Sequence, residues 1–416
     1  MKLGLLGIDA RIAAVAAAAG RAGDRVVVVC GLHPAALVPP GLSAAGGAVR
    51  ESDTAALLDA AVCDAVLVSA DDWDVARADT VRLLVQAGRT LLLAHPLEPR
   101  MLWAYELDMI RRDSGARLVP LLTDRLHPYV ARLRRGIEVA AAGASPLGDL
   151  ESVGLERTMH DRSQAAVLTA FARDADLVRV LVGEPERLAT LGAGEPAAAW
   201  PSLAVGLSGA GRVPVRWQVA AGATTGLTIT LRHAAGSVTV FAPDDPAAPW
   251  LWRGPPEESL AFDAAAAAVD LLHRAAAPAP PPDDDTVAPA DWADAARAIE
   301  LAETVPRSLA RGRAVDLHRE EFSELGTFRG TMASLGCGLV LAALLVLLAA
   351  TLLGGLAHEF EWELGLRIAA AWPVFVLVVL GAFLLLQVLP LIVGPAPDRV
   401  DEPPRQPPTP GDGLGR

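Results

Sequence analysis

The sequence predicts an α/β Rossmann-like N-terminal domain, then an α+β domain with a largely antiparallel sheet, then two transmembrane helices. Three observations carry that expectation. Over residues 1–122 short unbroken apolar runs alternate with helix-like stretches. From Leu150 onward the texture becomes one of alternating strands separated by turns. Beyond Arg329 two long segments contain no formally charged side chain.

Lys2–Leu6, Arg25–Cys30, Ala65–Ser69 and Thr90–Leu93 read as strands, and Arg117–Leu122 as the strand that ends the set. Runs of Val and Leu without polar alternation suit strands buried on both faces of a parallel sheet. Ile12–Ala22, Asp53–Ala61 and Val75–Ala87 supply helices between them. This first domain is assigned to residues 1–123. A second, 124–317, opens with the strand Glu151–Thr158 and the helix Ala166–Leu181. Val213–Val219, Leu227–His233 and Ser237–Phe241 alternate as antiparallel strands do, with Ala235-Gly236 as a turn. The Pro-rich loop 275–290 contains AAAPAPPPDDD, a stiff solvated stretch, and Trp292–Leu309 is a closing helix.

After a connector over 318–334, residues 335–356 and 368–393 each reach the ~20 apolar residues that a membrane-spanning helix needs. They are joined by the short loop 357–367, with Trp362 and Trp372 near one interface. That loop holds Glu359, Glu361 and Glu363 against one arginine, whereas Arg311, Arg313, Arg319 and Arg329 precede the first span and Arg399 and Arg405 follow the second. The positive-inside rule then puts both termini in the cytoplasm of a two-span inner-membrane protein, with the lipid bilayer as its partner. MKLGLLG reads as a strand and not as a signal peptide. The tail 394–416, rich in Pro, Gly and charge, is expected to be disordered. A net charge of −13 argues against a nucleic-acid-binding surface. Cys30, Cys63 and Cys337 are scattered and suggest neither a disulfide framework nor a metal cluster.

Several stretches in order carry a resemblance: LGLLGID, CDAVLVSADD with LLVQAGRTLLLAHPL, TDRLHPYVARLRR, FARDADLVRVLVGEPERL, and ADWADAARAIELAETVPRSLARGRAVDL. Over residues 1–317 the chain resembles the Gfo/Idh/MocA oxidoreductases, related to glucose-fructose oxidoreductase and inositol 2-dehydrogenase. The resemblance implies a Rossmann domain paired with an α+β domain, NAD or NADP as cofactor, a sugar or cyclitol substrate, and a homo-oligomer formed through the open face of the second sheet.

It also identifies the site positions, and at most of them the residue has changed. The turn Gly7-Ile8-Asp9-Ala10-Arg11 stands where the dinucleotide fingerprint belongs, with Ser69 and the pair His95-Pro96 as further cofactor-side positions. Only Gly7 of the three glycines survives, and Asp9 puts a carboxylate where a phosphate is expected. No acidic residue follows Cys30-Gly31-Leu32-His33, where the ribose hydroxyls are expected to be held. The family's Glu-Lys-Pro is Ala94-His95-Pro96, and Lys2 is the chain's single lysine. The family's acid/base helix reads Thr169, Arg173 and Asp176, so an arginine, which does not exchange protons near neutral pH, replaces the histidine. Arg173 and Asp176 could pair at i, i+3, or Arg173 could meet an anionic ligand. Arg125 and His127 keep the family pattern, and Asp71, Asp72 and Asp74 form an acidic group after a strand.

Two readings follow. In the first the chain is a catalytically degraded oxidoreductase homologue, a ligand-binding or scaffold module at the cytoplasmic membrane face. In the alternative it is a divergent NAD(P)-dependent oxidoreductase with His95 in place of the family lysine, and His95, Arg173 and Asp176 are then its candidate catalytic residues.

Overall fold

Among the described residues six short strands, mostly of Val, Leu and Ala, form a wholly parallel sheet. They are β1 (Lys2–Leu6), β2 (Arg25–Cys30), β3 (Val49–Arg50), β4 (Ala65–Val68), β5 (Thr90–Leu93) and β6 (Arg117–Pro120), in the order β3-β2-β1-β4-β5-β6. The computed structural model describes residues 1–31, 49–50, 54–192, 199–209, 213–254, 256–276 and 287–317, with isolated positions between 345 and 359. Because side chains alternate across a strand, each strand feeds two cores. Leu3, Leu5, Ala65, Leu67 and Leu92 pack against α1 (Ala10–Arg21). On the other face Leu6, Val66, Val68, Leu91 and Leu93 pack against α3 (Val75–Gln86) and α4 (Met101–Ser114). Between β3 and β4 the helix expected over Asp53–Ala61 is only one turn, α2 (Ala55–Leu58), since Asp59 already turns to extended backbone.

The second sheet has nine strands among the described residues: β7 (Leu150–Thr158), β8 (Pro185–Leu191), β9 (Ala204–Gly209), β10 (Val215–Ala220), β11 (Gly226–His233), β12 (Gly236–Pro243), β13 (Trp250–Arg253), β14 (Glu258–Leu260) and β15 (Val315–Asp316). All its pairings are antiparallel except that of β10 with β7, which is parallel, so the sheet is largely antiparallel as expected, and the strand expected over Val213–Val219 is antiparallel to β9 but parallel to β7. The β11–β12 turn is Ala234-Ala235, one residue earlier than the pattern suggested. One face of the sheet is covered by α5 (Pro128–Ala141) and α6 (Gln164–Val182), while Ser152, Glu156, Arg216, Gln218 and Thr230 line the polar opposite face.

Two later helices return to the first sheet. α7 (Ala264–Ala276) buries Ala268, Val269, Leu271 and Leu272 beside α1. α8 (Trp292–Arg311) inserts Trp292, Ala295 and Ile299 beside α4 and presents Ala298, Leu301 and Val305 to the second core. Residues 1–319 thereby make one compact unit. The two expected spans, the connector, the loop, the tail and most of the Pro-rich segment lie outside the described residues, save isolated positions. No helix of the described residues is long and apolar enough to cross a membrane.

Candidate ligand-binding cleft

Gly7 takes the chain out of β1 at φ +74°, a left-handed conformation for which glycine is suited, and its N–H donates to the Cys30 carbonyl at 2.9 Å. Two residues on, Asp9 caps α1: one carboxylate oxygen accepts from the Ile12 amide at 2.8 Å. The other oxygen accepts from Ser69 Oγ at 3.0 Å and the Ala70 amide at 3.2 Å. A helix N-terminus favours an anion, and here the chain's own carboxylate meets that demand. Gly7, Asp9 and Ser69 are therefore brought together, but by one another. Ile8 is half-buried against the α1 side of the sheet, and Ala10 is exposed at the first position of α1.

A residue that sequence reasoning missed crosses this turn. Arg77, in the first turn of α3, lies over both glycines at the ends of β1 and β2. A Cβ on Gly7 would stand 2.9 Å from its Nη1, and one on Gly31 would stand 3.6 Å from its Nε. Arg77 Nη2 donates to the Gly31 carbonyl at 2.5 Å, and Nη1 is buried without a partner among the described residues. The crevice where the strand order reverses, the usual seat of a dinucleotide, thus carries an arginine side chain. Nothing around Arg77 in the sequence marks it. Of the neighbouring acids, Asp74 is spent as the α3 N-cap, accepting from the Arg77 amide. Asp71 is raised above the ordinary carboxylate range by burial and by Asp9 and Asp72. Among the described residues no group of three or more His, Cys, Asp or Glu side chains could hold a metal ion.

His95 and Pro96 follow β5 and are buried, His95 with 6 % of its surface exposed. Burial first, then the positive charges of Arg11 and Arg173, push the His95 pKa down to about 3. Its Nε2 is buried without a hydrogen-bond partner among the described residues. A proton relay works best with a pKa near the operating pH, and His95 is held neutral well away from it.

On α6 the expected pair comes apart. Asp176 accepts from Arg125 Nη2 at 2.9 Å and lies 3.8 Å from Arg179, not against Arg173. Arg125 continues to Asp294 at 2.7 Å, and Arg179 to Asp294 at 2.8 Å and Glu184 at 2.5 Å. The network locks the turn after β6, α6 and α8 together, which makes Asp176 a structural anion. Its pKa is pushed up to about 6, burial outweighing the two guanidiniums. Neighbouring Asp174 is also buried and accepts from Arg157 and from Trp217 Nε1 at 2.8 Å. His127 caps α5 through Nδ1 and stacks on Trp250 at 4.0 Å between ring centroids.

Arg173 instead lines a cavity of about 300 Å³, at the small end of the range for ligand sites. Its walls come from α1, the segment after β6, α6, the end of β12 and α7. Arg11, Arg157 and Arg173 line it with Asp124, Asp244 and Asp245, and Leu177, Leu227, Trp250 and Phe262 give it an apolar side. His95 is not among the lining residues.

No family model and no curated protein matches this sequence. Solved structures do match in shape. A myo-inositol dehydrogenase from Corynebacterium glutamicum is similar over 76% of this chain and 99% of its own, at 15% identity and a TM-score of 0.56. A levoglucosan dehydrogenase in complex with NADH and levoglucosan covers 77% of this chain and 100% of its own, at 14% identity and 0.58. GenD2 from gentamicin A biosynthesis, in complex with NAD, covers 76% and 96%, at 18% identity and 0.58. What this chain shares with these dehydrogenases is the fold: a Rossmann-like parallel sheet joined to a second, mixed sheet.

Proposed function

We propose that this chain is a Gfo/Idh/MocA-like protein whose cleft binds a small molecule without the family's lysine- and histidine-dependent hydride chemistry, and that its C-terminal apolar pair holds it at the inner face of a membrane. The observation that carries the reading is the Asp9 carboxylate, which takes the three donors at the α1 N-terminus and the β4 end. A diphosphate entering there would meet a fixed negative charge and would have to displace those bonds. The low pKa of His95 and the cation at position 173 support it, because neither can take a proton from a substrate near neutral pH.

A second reading, a divergent NAD(P)-dependent oxidoreductase acting on a sugar-like substrate with His95 in the lysine position, has its own support. The similar solved structures are dehydrogenases, and two of them hold NADH or NAD. Titrating the purified full chain with NADH and NADPH, followed by nucleotide fluorescence, separates the two. The first reading expects no saturation up to ~1 mM, the upper end of ordinary enzyme affinities. Saturation at micromolar cofactor would overturn it in favour of the second. The anchor is tested by itself: full-length chain is expected to stay with membranes through an alkaline carbonate wash, and release by that wash would end this part of the proposal.

A further inference from the structure

Among the described residues the arginines packed into this fold nearly all reach at least one acceptor, although Nε of Arg89 and of Arg125 and Nη1 of Arg77 stay unpaired. Arg89 reaches the Cys63 carbonyl, Arg125 holds Asp176 and Asp294, Arg157 holds Asp174 and Asp244, and Arg179 holds Glu184 and Asp294. Two half-buried arginines reach no acceptor among the described residues, and both line the same cavity. Neither Arg11 nor Arg173 makes a hydrogen bond or ion pair among the described residues, and Arg173 Nε is buried without a partner. A desolvated cation without an anion is costly, and the cost grows when a second cation faces it. Arg11 adds to it by sitting in the first turn of α1, at the positive end of the helix.

The nearby carboxylates do not cancel this charge. Asp244 is held by Arg157 at 2.7 Å, and Asp245 accepts from the Ala247 amide within its own loop. Asp124 acts on Arg173 more weakly than Arg11 and Arg157 do, and the Arg173 pKa is lowered by burial and by those two cations. The opposite wall, with Leu177, Leu227, Trp250 and Phe262, is apolar and partly aromatic.

We infer that this cavity is a binding site for a small organic anion, a carboxylate or a phosphate ester, held at its charged end by Arg11 and Arg173 and at its carbon end by the apolar wall. Guanidinium groups suit either oxyanion, since both accept paired N–H donors. The inference rests on the reading of the cleft as a binding site, and names the class of ligand it takes.

The test is calorimetric titration of the purified full chain with phenylacetate, phenyl phosphate and the neutral phenylacetamide. Saturable binding of at least one anion, without saturable binding of the amide, is the expected result, and the better anion tells carboxylate from phosphate. Arg173→Gln and, separately, Arg11→Gln should each weaken that anion about tenfold or more, the loss of a charge-assisted hydrogen bond. Equal binding of the amide, no anion binding at millimolar concentration, or wild-type affinity in the variants would overturn the site. Should Arg173→Gln fail to fold, Arg11→Gln decides by itself. NADH titrated into the same sample with the preferred anion already at saturation reports on the parent reading alone. Saturation by NADH, with the anions still selective, would end that reading and leave the anion site standing.

Discussion

At the residue scale, Asp9 and Arg173 illustrate how one substitution redirects a site. A glycine two residues after Gly7 would leave the α1 N-terminus open to a ligand, whereas the Asp9 carboxylate both caps the helix and ties it to Ser69 and Ala70 at the end of β4. Its removal is therefore a stability matter. Asp9→Ala is expected to cost about 1–2 kcal/mol, the upper part of the range for lost N-caps, read as a lower urea midpoint with an unchanged slope. A midpoint equal to the wild type would mean that the cap is idle. The sequence marked Asp9 as out of place, because the fingerprint demands a glycine at that spacing. It gave no sign of Arg77, whose importance comes only from where α3 starts relative to Gly7 and Gly31.

At the scale of elements, what was legible depended on how local the signal is. β1, β2 and β5 run over the residues expected from their apolar runs, because a strand buried on both faces needs no partner to be recognised. α6 and α8 were legible from apolar spacing, α6 starting two residues earlier and ending one later than expected, and α8 ending two residues later. β8, β9 and the parallel seat of β10 beside β7 were not, since pairing in a mixed sheet is decided by segments distant in sequence. The same holds for Asp176. Spacing offers it Arg173, but Arg125 arrives from the turn after β6 and takes it, while Arg173 turns to the cavity. An i, i+3 relation permits a pair without selecting it, and a buried partner brought in by tertiary packing outcompetes it.

For the whole molecule, buried titratable groups set how stability responds to acid. Folded His95 and His127 have pKa values lowered to about 3 and about 4, burial being the main cause for both, against an ordinary 6.5. Below pH 6.5 the unfolded chain takes up two protons that the folded chain refuses, so stability present above that pH is lost as pH falls towards 4. The loss approaches ~1.4 kcal/mol per pH unit for each histidine. Asp176 acts in the opposite direction: its folded pKa of about 6 lies above the ordinary 3.8, so its stabilising proton is present at low pH and lost as pH rises through about 6. Two histidines against one carboxyl leave a net loss on acidification. The urea midpoint is expected to be lower at pH 5 than at pH 7, and an equal or higher midpoint at pH 5 would contradict the balance.

The return of α7 and the start of α8 to the first sheet bears on the order in which this protein is made. A ribosome delivers β1 to β6 early, yet the faces of that sheet stay partly uncovered until Leu272 beside α1 and Trp292 beside α4 have emerged. His273 then meets Asp24 at 2.8 Å and Arg21 meets Asp263 at 3.1 Å, fastening α7 to the first-made helix. The nascent Rossmann-like half therefore spends the synthesis of well over a hundred further residues with exposed apolar surface, the interval in which a holding chaperone has most to grip.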